Sequence, residues 1–291
     1  MTKSYPSISI VIVTYFTGPS LWDCLRACLE QHVDQIIIVN NGNHQKTTNM
    51  LHEMQQQNAK ITLIEGHGNI GFAKACNLGA KQASSDYLMF LNPDAIVQSL
   101  AITHLVQVLE KEPGLCLVGA RLLNQNGTEQ RGARRGRLTP WSALVSMTGL
   151  ARFERYSPWF ADMHWERRPL PSSPVPVPAV SGACMMFRTT DFQRVDRFDE
   201  RYFLHVEDLD ICRRMWDAGG KVIFVPSAEV LHIGSTSRVS VFQVNWSKAI
   251  GLVRYFYRFA NSPLQKIAAI SLSLLIVPAV MVRALWIALK R

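Results

Sequence analysis

The sequence predicts an α/β fold with an open, mostly parallel sheet that is flanked by helices. Continuously apolar runs of strand length recur through the first hundred residues, and segments with helical spacing lie between them. Such runs are typical of strands that are covered by helices on both faces of a parallel sheet. The alternation therefore indicates successive βαβ units.

The elements of this alternation follow one another in order. Residues 8–15 (ISIVIVTY) predict a first buried strand, and residues 20–31 place apolar side chains at helical spacing. The elements predicted after these are a strand at 35–43, a polar helix near 47–57, a short strand at 61–64, a Gly-rich loop and helix at 65–84, and a strand at 86–92.

Polar residues follow four of the predicted strands at the point where each strand ends. In an open α/β sheet, ligands bind beyond the carboxyl ends of the strands, so these ends predict a ligand-binding edge. Asn92-Pro93-Asp94 is good turn chemistry by itself, but Asp94 shares this edge with three other polar segments. Those segments are Thr14-Tyr15, Asn40-Asn41 and the loop at 65–71.

The composition excludes several classes of protein. The chain has 291 residues, 48% hydrophobic and 18% charged, so it can bury a sizeable core and is too apolar for disorder. A net charge of +9 predicts an anionic partner: nucleic acid, a phosphorylated substrate or an anionic membrane face. The six cysteines form no CxxC pair, which disfavours a zinc ribbon. Without a signal-peptide pattern, free thiols in the cytoplasm are expected.

The Gly-rich loop at 65–71 matches neither of two common nucleotide-binding motifs. It follows a later strand than a dinucleotide-binding GxGxxG would, and no acidic ribose partner lies at the expected distance. The chain also lacks the GxxxxGK[ST] pattern of a P-loop. A dehydrogenase is therefore disfavoured, and the loop is interpreted either as a plain turn before a helix or as part of another binding site.

Residues 198–214 (FDERYFLHVEDLDICRR) hold the densest acidic cluster in the chain. Acids at a helix start can simply complement the helix dipole. However, apolar residues directly precede Glu207-Asp208, and an acid pair presented in this way can act as a general base. His232, after a later strand, is either a surface residue or a partner of Asp94 on a divalent cation.

Two further segments indicate partners. Residues 131–168 combine eight arginines with aromatic residues. A solvated loop and a nucleic-acid surface are alternatives, the second disfavoured because no nucleic-acid motif accompanies it. We interpret the segment as an acceptor region for a polyprenyl diphosphate-linked sugar.

The apolar tail at 266–291, preceded by a basic aromatic stretch at 252–259, predicts a membrane-embedded or interfacial helix, with a buried core helix as the alternative.

Seven motifs occur in the order found in family 2 glycosyltransferases with the GT-A fold. The resemblance covers about residues 7–240, and the subgroup is similar to bacterial rhamnosyltransferases that build cell-surface polysaccharides. The motifs are IVIVTYF (10–16), IIIVNNGN (36–43), GNIGFAKACNLGA (68–80), FLNPDA (90–95), SGACMMFR (181–188), FDERYFLHVEDLDICRR (198–214) and HIGSTS (232–237).

The resemblance implies an inverting transfer of a sugar from a nucleotide diphosphate sugar, with Mg²⁺ or Mn²⁺ as cofactor. Asp94 matches the metal-binding position of the family, and His232 matches a position that can reach the metal or the diphosphate. Asp208, next to Glu207, matches the general base that deprotonates the acceptor hydroxyl. The positions assigned to the donor are Thr14, Tyr15, Asn40, Asn41, Asn69, Gly71, Phe72, Asn77 and Asn92.

Three places depart from the family pattern. Asn40 stands where many relatives carry an acid, Asn92 replaces the first acid of the DxD-type site, and Lys74-Ala75-Cys76 stands where relatives often have small residues and Gly or Asn. Asn40 and Asn92 motivate an alternative function, a catalytically degenerate nucleotide-sugar-binding or scaffold protein of polysaccharide assembly.

The expected organisation has three parts. Residues 1–117 form the nucleotide-sugar-binding half of the GT-A domain, residues 118–240 form the acceptor-binding and catalytic half, and residues 241–291 form a membrane-associating segment. The expected activity is transfer of a sugar, with rhamnose from dTDP-rhamnose as the candidate, to a lipid-linked precursor. The expected location is the cytoplasmic face of the bacterial inner membrane, without a nucleic-acid partner.

Overall fold

A computed structural model describes residues 6–234 and 240–289 of the chain. Residues 235–237 of the last predicted motif and the basic pair at 290–291 lie outside the described residues. The strands are β1 (Ile8–Thr14), β2 (Gln35–Asn40), β3 (Ile61–Ile64), β4 (Tyr87–Leu91), β5 (Ala95–Val97), β6 (Cys116–Leu123), β7 (Arg134–Arg135), β8 (Val175–Pro176), β9 (Ala179–Val180), β10 (Cys184–Arg188) and β11 (Lys221–His232). The helices are α1 (Ser20–Leu29), α2 (Gln45–Gln57), α3 (Phe72–Ala80), α4 (Ala101–Lys111), α5 (Pro140–Thr148), α6 (Thr189–Arg194), α7 (Glu207–Asp217), α8 (Val241–Arg258) and α9 (Pro263–Leu289).

The main sheet has the strand order β3-β2-β1-β4-β10-β6-β11-β5. Its first four strands are parallel, as the βαβ pattern predicts. Strand β10 then runs antiparallel between β4 and β6, β11 returns parallel to β6, and β5 pairs antiparallel with β11. The predicted α/β fold with helices on both faces is confirmed, and the second half of the sheet is mixed.

Helices cover both faces of this sheet. One core cluster packs β1 and β4 against α1 and α4, and the other packs the opposite face against α3, α7 and α8. Every residue of β1 and β4 is buried, which is why these strands read as unbroken apolar runs. The predicted boundary at residue 117 falls inside β6, and the division into two halves stays a prediction.

The Arg-rich segment contains regular structure of its own. Helix α5 starts at a capping box in which Thr139 and Ser142 bond each other's backbone N–H groups. Two short 3-10 helices follow at Leu150–Phe153 and Pro158–Phe160. Strands β7 and β9 pair as a small antiparallel sheet beside the main one.

A buried ion network holds α7 in place. The carboxylate of Asp210 is fully buried and accepts hydrogen bonds from Arg214 Nε at 2.7 Å and from the Tyr202 hydroxyl at 3.2 Å. Arg258, at the end of α8, approaches the same carboxylate to 3.4 Å and also pairs with Asp199. Helix α7 is thereby fixed to the segment before it and to α8.

Helix α9 exposes apolar side chains along most of its length. Residues Pro263–Val282 are long and apolar enough to cross a membrane, and only 17% of the most apolar window is buried. A core helix would be mostly buried, so the alternative of a core helix is disfavoured for this described segment. The exposed apolar residues of α9 include Leu264, Ile267, Ile270, Leu274, Leu275 and Val282.

Replacing Asp210 by Asn is expected to destabilise the fold strongly. The Asp210→Asn change removes a fully buried charge and leaves Arg214 without its counter-ion, while Arg258 keeps only its pair with Asp199. Breaking a buried ion pair from one side costs about 3–5 kcal/mol in the free energy of unfolding. The matched control is Asp217→Asn on the same helix, because Asp217 is 48% exposed and its pair with Arg213 is expected to contribute about 1 kcal/mol or less. Urea unfolding of both variants measures the difference, and equal losses would contradict the central role of Asp210.

Candidate active site

A cavity of about 680 Å³ opens at the carboxyl ends of β1, β2 and β4. It brings together the polar strand ends that the sequence places on one edge. Helix α7 contributes the acid pair, and the first turns of α8 complete the wall through Val241, Gln243 and Val244. The predicted site residues that line the cavity are Tyr15, Asn41, Asn69, Gly71, Phe72, Asn92, Asp94, Glu207, Asp208 and His232.

Asp94 and His232 meet on one wall because β5 pairs with the end of β11, in the register Ala95 opposite His232. His232 Nε2 lies 3.2 Å from Asp94 Oδ1, and the Asn92 amide lies 3.2 Å from the same ring nitrogen. The other ring nitrogen, Nδ1, lies 2.6 Å from the Oε1 atom of Gln130. The Gln130 oxygen at Nδ1 and the donor amide of Asn92 at Nε2 both suit the tautomer in which Nδ1 carries the proton, whereas the Asp94 carboxylate opposes a lone pair on Nε2 unless a cation lies between them.

This pair has the chemistry of a small divalent-cation site. A carboxylate oxygen and an imidazole nitrogen are suitable ligands for Mg²⁺ or Mn²⁺, and a 3.2 Å separation is compatible with shared coordination. No cluster of three or more His, Cys, Asp or Glu residues suited to a metal occurs among the described residues. Mg²⁺ is commonly held by one or two protein groups plus substrate phosphates, so two ligands fit such a site.

The Gly-rich loop is held against the acid-rich segment. Asn41 Nδ2 donates to Asn69 Oδ1 at 3.0 Å, and Asn41 Oδ1 accepts from the backbone N–H of Ile70 at 3.0 Å. Gly71 has φ +85°, and a Cβ there would lie 2.8 Å from the Phe203 ring and carbonyl oxygen. Only glycine therefore fits this approach, which joins the predicted donor loop to the segment before α7.

Two of the predicted donor residues, Thr14 and Asn40, do not line the cavity. The Thr14 hydroxyl lies 3.0 Å from that of Thr17 and accepts a bond from Asn43. Asn40 donates to Thr48 at 3.1 Å and accepts from Asn43 at 2.8 Å. Both side chains therefore order the turns after β1 and β2, and their contact with the nucleotide stays a prediction.

Asn77 is also absent from the cavity wall. Its amide donates to the carbonyl of Phe198 at 2.8 Å and to Glu200 at 3.1 Å, and it accepts from the Phe198 N–H at 3.1 Å. This buried side chain joins α3 to the start of the acid-rich segment. These bonds give Asn77 a structural role, and its contact with the nucleotide stays a prediction.

Asp208 is held by three donors. Its Oδ2 accepts from Arg135 Nη2 at 2.5 Å and from the Gly182 N–H at 3.1 Å, and its Oδ1 accepts from the Leu209 N–H at 2.8 Å. Burial by itself would raise the pKa of Asp208, but the Arg135 guanidinium and these hydrogen bonds hold the pKa below its ordinary value. Asp208 is therefore ionised at neutral pH.

Glu207 has the opposite electrostatic environment. Burial, followed by the negative charge of Asp208, raises the pKa of Glu207 to about 8. The residue is only 5% exposed, and its Oε2 atom has no hydrogen-bond partner among the described residues. Glu207 is therefore largely protonated at neutral pH and is suited to donate a hydrogen bond.

Sequence reasoning did not identify Gln130, Arg135 or the start of α8 as parts of the site. Gln130 contacts His232 across a large sequence separation, and Arg135 does the same to Asp208. Gln130 belongs to no motif, and Arg135 lies in the Arg-rich segment at 131–168, whose interpretation as an acceptor region did not single it out. Gly182 was inside the quoted motif at 181–188, but the pattern did not single it out.

The pH dependence of stability should reveal the environment of Glu207. Because its folded pKa, about 8, is above its ordinary value of 4.5, the protonated folded form is favoured at low pH, and this contribution is lost as pH rises through about 8. Between about pH 5 and 8, the free energy of unfolding of the wild type should therefore fall relative to that of Glu207→Gln. Urea unfolding across this range measures the effect. Glu53→Gln, at an exposed carboxyl on α2, is the control, and parallel curves for all three proteins would contradict the raised pKa.

Two family models match the chain. The model for glycosyl transferase family 2 matches residues 9–195, and the model for glycosyl transferase family group 2 matches residues 138–289. The first contains the predicted donor residues and Asp94, and the second contains Asp208 and the helices α8 and α9. Together they span nearly the whole described chain.

Curated relatives include two rhamnosyltransferases. The chain is 28% identical over 236 residues to N-acetylglucosaminyl-diphospho-decaprenol L-rhamnosyltransferase of Mycobacterium tuberculosis, covering 77% of this chain and 75% of the relative. It is 25% identical over 210 residues to rhamnosyltransferase WbbL of Escherichia coli, covering 68% of this chain and 73% of the relative.

Solved structures share the fold at low identity. Mannosyltransferase PcManGT of Pyrobaculum calidifontis, in complex with GDP-Man and Mn²⁺, has a TM-score of 0.59 at 15% identity and covers 99% of this chain and 76% of its own. GalNAc-T7, with UDP, GalNAc and Mn²⁺, has a TM-score of 0.61 at 16% identity over 91% of this chain, which spans only 52% of the GalNAc-T7 chain. These likenesses support the GT-A fold. With the family model matched over residues 9–195, the chain belongs to glycosyl transferase family 2 and is a glycosyltransferase.

Proposed function

We propose that this glycosyltransferase transfers rhamnose from a nucleotide diphosphate donor to a lipid-linked glycan precursor, with inversion at the anomeric carbon. One observation carries the proposal: the same cavity contains Asp208, an ionised and oriented carboxylate, and two residues that could bind a divalent cation, Asp94 and His232. The relatives from Mycobacterium tuberculosis and Escherichia coli support rhamnose, and the name of the first supports a diphosphate-linked lipid acceptor.

The reaction proposed for Asp208 is the removal of one proton. The acceptor hydroxyl oxygen forms a bond to the anomeric carbon while its proton moves to the Asp208 carboxylate. The bond from the anomeric carbon to the diphosphate oxygen breaks, and the nucleotide diphosphate leaves with the electron pair. Asp208 suits this role because it is ionised and because Gly182 and Leu209 hold its oxygens.

Mg²⁺ or Mn²⁺ would be held by Asp94 and His232 and would neutralise the charge on the departing diphosphate. Gln130 supports this wall by orienting the imidazole. The proposed donor contacts on the cavity wall are Tyr15, Asn41, Asn69, Gly71, Phe72 and Asn92. Protonated Glu207 is proposed to donate a hydrogen bond within the same cavity.

The acceptor is proposed to reach the cavity from the membrane side. Helix α8 lines the cavity with its first turns and leads to α9, whose exposed apolar face suits a lipid environment. Exposed aromatic residues in the Arg-rich segment, including Tyr156 and Trp159, suit the same interface. We place the enzyme at the cytoplasmic face of the bacterial inner membrane, with residues 1–117 for the donor, 118–240 for the acceptor and 241–291 for the membrane.

The second candidate is a catalytically degenerate donor-binding protein of polysaccharide assembly. Asn92, which lies beside His232, stands where the family's DxD-type site has an acid. This favours the second candidate, because Asp94 is then the one carboxylate of that motif left to bind the cation. The two candidates differ in turnover and not in donor binding.

A nucleotide-release assay tests the proposed function. Release is measured from dTDP-rhamnose first and then from other dTDP-, UDP- and GDP-sugars, with and without Mg²⁺ or Mn²⁺, using a membrane extract as the acceptor source. We expect metal-dependent release from one donor and its loss in Asp94→Ala. Asp208→Asn should lower the rate by about 10²–10⁴-fold because it removes the proton acceptor.

Donor affinity measured by calorimetry provides the control. It should be nearly unchanged in Asp208→Asn, and Asp217→Asn on the exposed side of α7 should behave as wild type. Tight donor binding without release, from any acceptor source, would contradict transfer and support the degenerate binder. Full activity in Asp208→Asn would remove Asp208 as the proton acceptor.

The membrane role of α9 can be tested on its exposed face. Leu274 and Leu275 are 73% and 69% exposed, so Leu274→Glu/Leu275→Glu should preserve the fold and weaken membrane association. The control is Gln55→Glu/Gln56→Glu, which adds the same charge to an exposed part of α2. Cell fractionation measures the membrane-bound share of each protein. Unchanged association of the α9 variant would mean that this face is not the membrane contact.

A further inference from the structure

Arg135 belongs to the Arg-rich segment, but its side chain is largely buried and forms an ion pair with Asp208. Strand β7 pairs with β9, with Arg134 opposite Val180 and Arg135 opposite Ala179. Neighbouring residues of a strand point to opposite faces. Arg134 is directed to Glu129, at 2.7 Å, whereas Arg135 is directed to Asp208.

We propose that Arg135 is a positioning residue, which holds the Asp208 carboxylate ionised and oriented for proton transfer from the acceptor. The proposal rests on the proposed function, because it assigns Asp208 the role of proton acceptor. It also changes the interpretation of the Arg-rich segment, since this arginine serves the protein's own carboxylate and not an acceptor diphosphate.

The backbone fixes Arg135 independently of Asp208. Its Nη2 atom donates to the Val180 carbonyl at 2.6 Å as well as to Asp208 Oδ2 at 2.5 Å. Gly182 also approaches Asp208 closely, since an added Cβ there would lie 3.1 Å from Asp208 Cβ. The Oδ2 atom therefore accepts hydrogen bonds from a guanidinium anchored by β9 and from a backbone N–H of the turn after β9.

Among the groups around Asp208, Arg135 is the one that most favours the ionised carboxylate. The titratable neighbours are Glu207 and Cys212 on its own helix, His205 before the helix, and Arg135 from β7. Burial opposes ionisation of Asp208, and the guanidinium opposes that burial effect. Without Arg135, the pKa of Asp208 should rise, and the base should be protonated at pH values where the wild type is active.

The test compares Arg135→Gln and Arg135→Lys with the wild type. Across about pH 3 to 9, Arg135→Gln should lower kcat at least tenfold at the acidic end and move the acidic limb of the kcat profile up by about one pH unit or more, because the pKa of Asp208 in the wild type lies below its ordinary value of 3.8. Arg135→Lys keeps the positive charge, so the acidic limb of its kcat profile should lie close to that of the wild type. The KM for the donor should change less than about twofold. Arg26→Gln, at an exposed arginine on α1, is the matched control and should leave the profile unchanged.

Two results would overturn the role of Arg135. One is an unshifted acidic limb with a uniform loss of kcat, which indicates a structural role only. The other is a raised KM for donor or acceptor with unchanged kcat, which indicates direct substrate binding.

A double-mutant cycle of Arg135→Gln and Asp208→Asn in urea unfolding is independent of turnover. If the two substitutions had additive effects on the free energy of unfolding, a direct interaction between Arg135 and Asp208 would also be contradicted. Lack of transfer by the wild type, with coupling in the cycle, would instead contradict the proposed function alone.

Discussion

The buried carboxylate of Asp210 is the constraint on which the candidate site depends. It binds Arg214 of its own helix and Arg258 of α8, and it accepts a bond from Tyr202. A fully buried carboxylate needs such partners, because an unpaired charge in the interior is strongly destabilising. The network fixes the rotation of α7, and that rotation determines that Asp208, two residues before Asp210 and on nearly the opposite face of the helix, faces the cavity. The same network fixes α8, whose first turns form another wall. One buried charge thus sets the positions of two walls of the site.

The acid pair shows how adjacent residues in one sequence motif acquire different protonation. Burial and then the charge of Asp208 raise the pKa of Glu207 to about 8, although Arg135 lies near enough to oppose this, whereas Asp208 bonds Arg135 directly and its pKa falls. Two acids whose pKa values are pushed apart can divide the roles of proton donor and proton acceptor. At neutral pH, Asp208 can accept a proton and Glu207 can donate a hydrogen bond. The sequence pattern of two acids at a helix start could not assign these roles, because the difference is produced by an arginine from β7.

The parts of the fold that were predictable are those encoded by local patterns. The runs in β1, β2 and β4 are apolar because both faces of the sheet are covered, and parallel strands bring their ends to one edge. The antiparallel insertion of β10 was not predictable, since the pairing with β4 and β6 joins segments that are far apart in sequence. The site followed the same rule. Residues at strand ends were identified, whereas Gln130 and Arg135 were missed because their partners lie about a hundred and about seventy residues away. The motif at 68–80 placed Asn77 among the predicted donor residues, but a motif fixes a residue's place in the chain and not the direction of its side chain, which here bonds Phe198 and Glu200.

Helix α8 connects the apolar helix α9 to the acid pair through direct contact. Its Gly251 approaches the turn before α7 so closely that an added Cβ would lie 3.1 Å from Val206 Cγ2 and 3.2 Å from the His205 carbonyl oxygen. That turn holds two consecutive non-glycine residues at positive φ, His205 at +67° and Val206 at +73°. Such conformations are strained and persist only where the surrounding packing enforces them. Because Glu207 follows this turn directly, the packing of α8 helps to determine where α7 begins. A displacement of α8 would therefore move the acid pair through this turn. Helix α8 thus helps to position the active site in addition to lining the cavity.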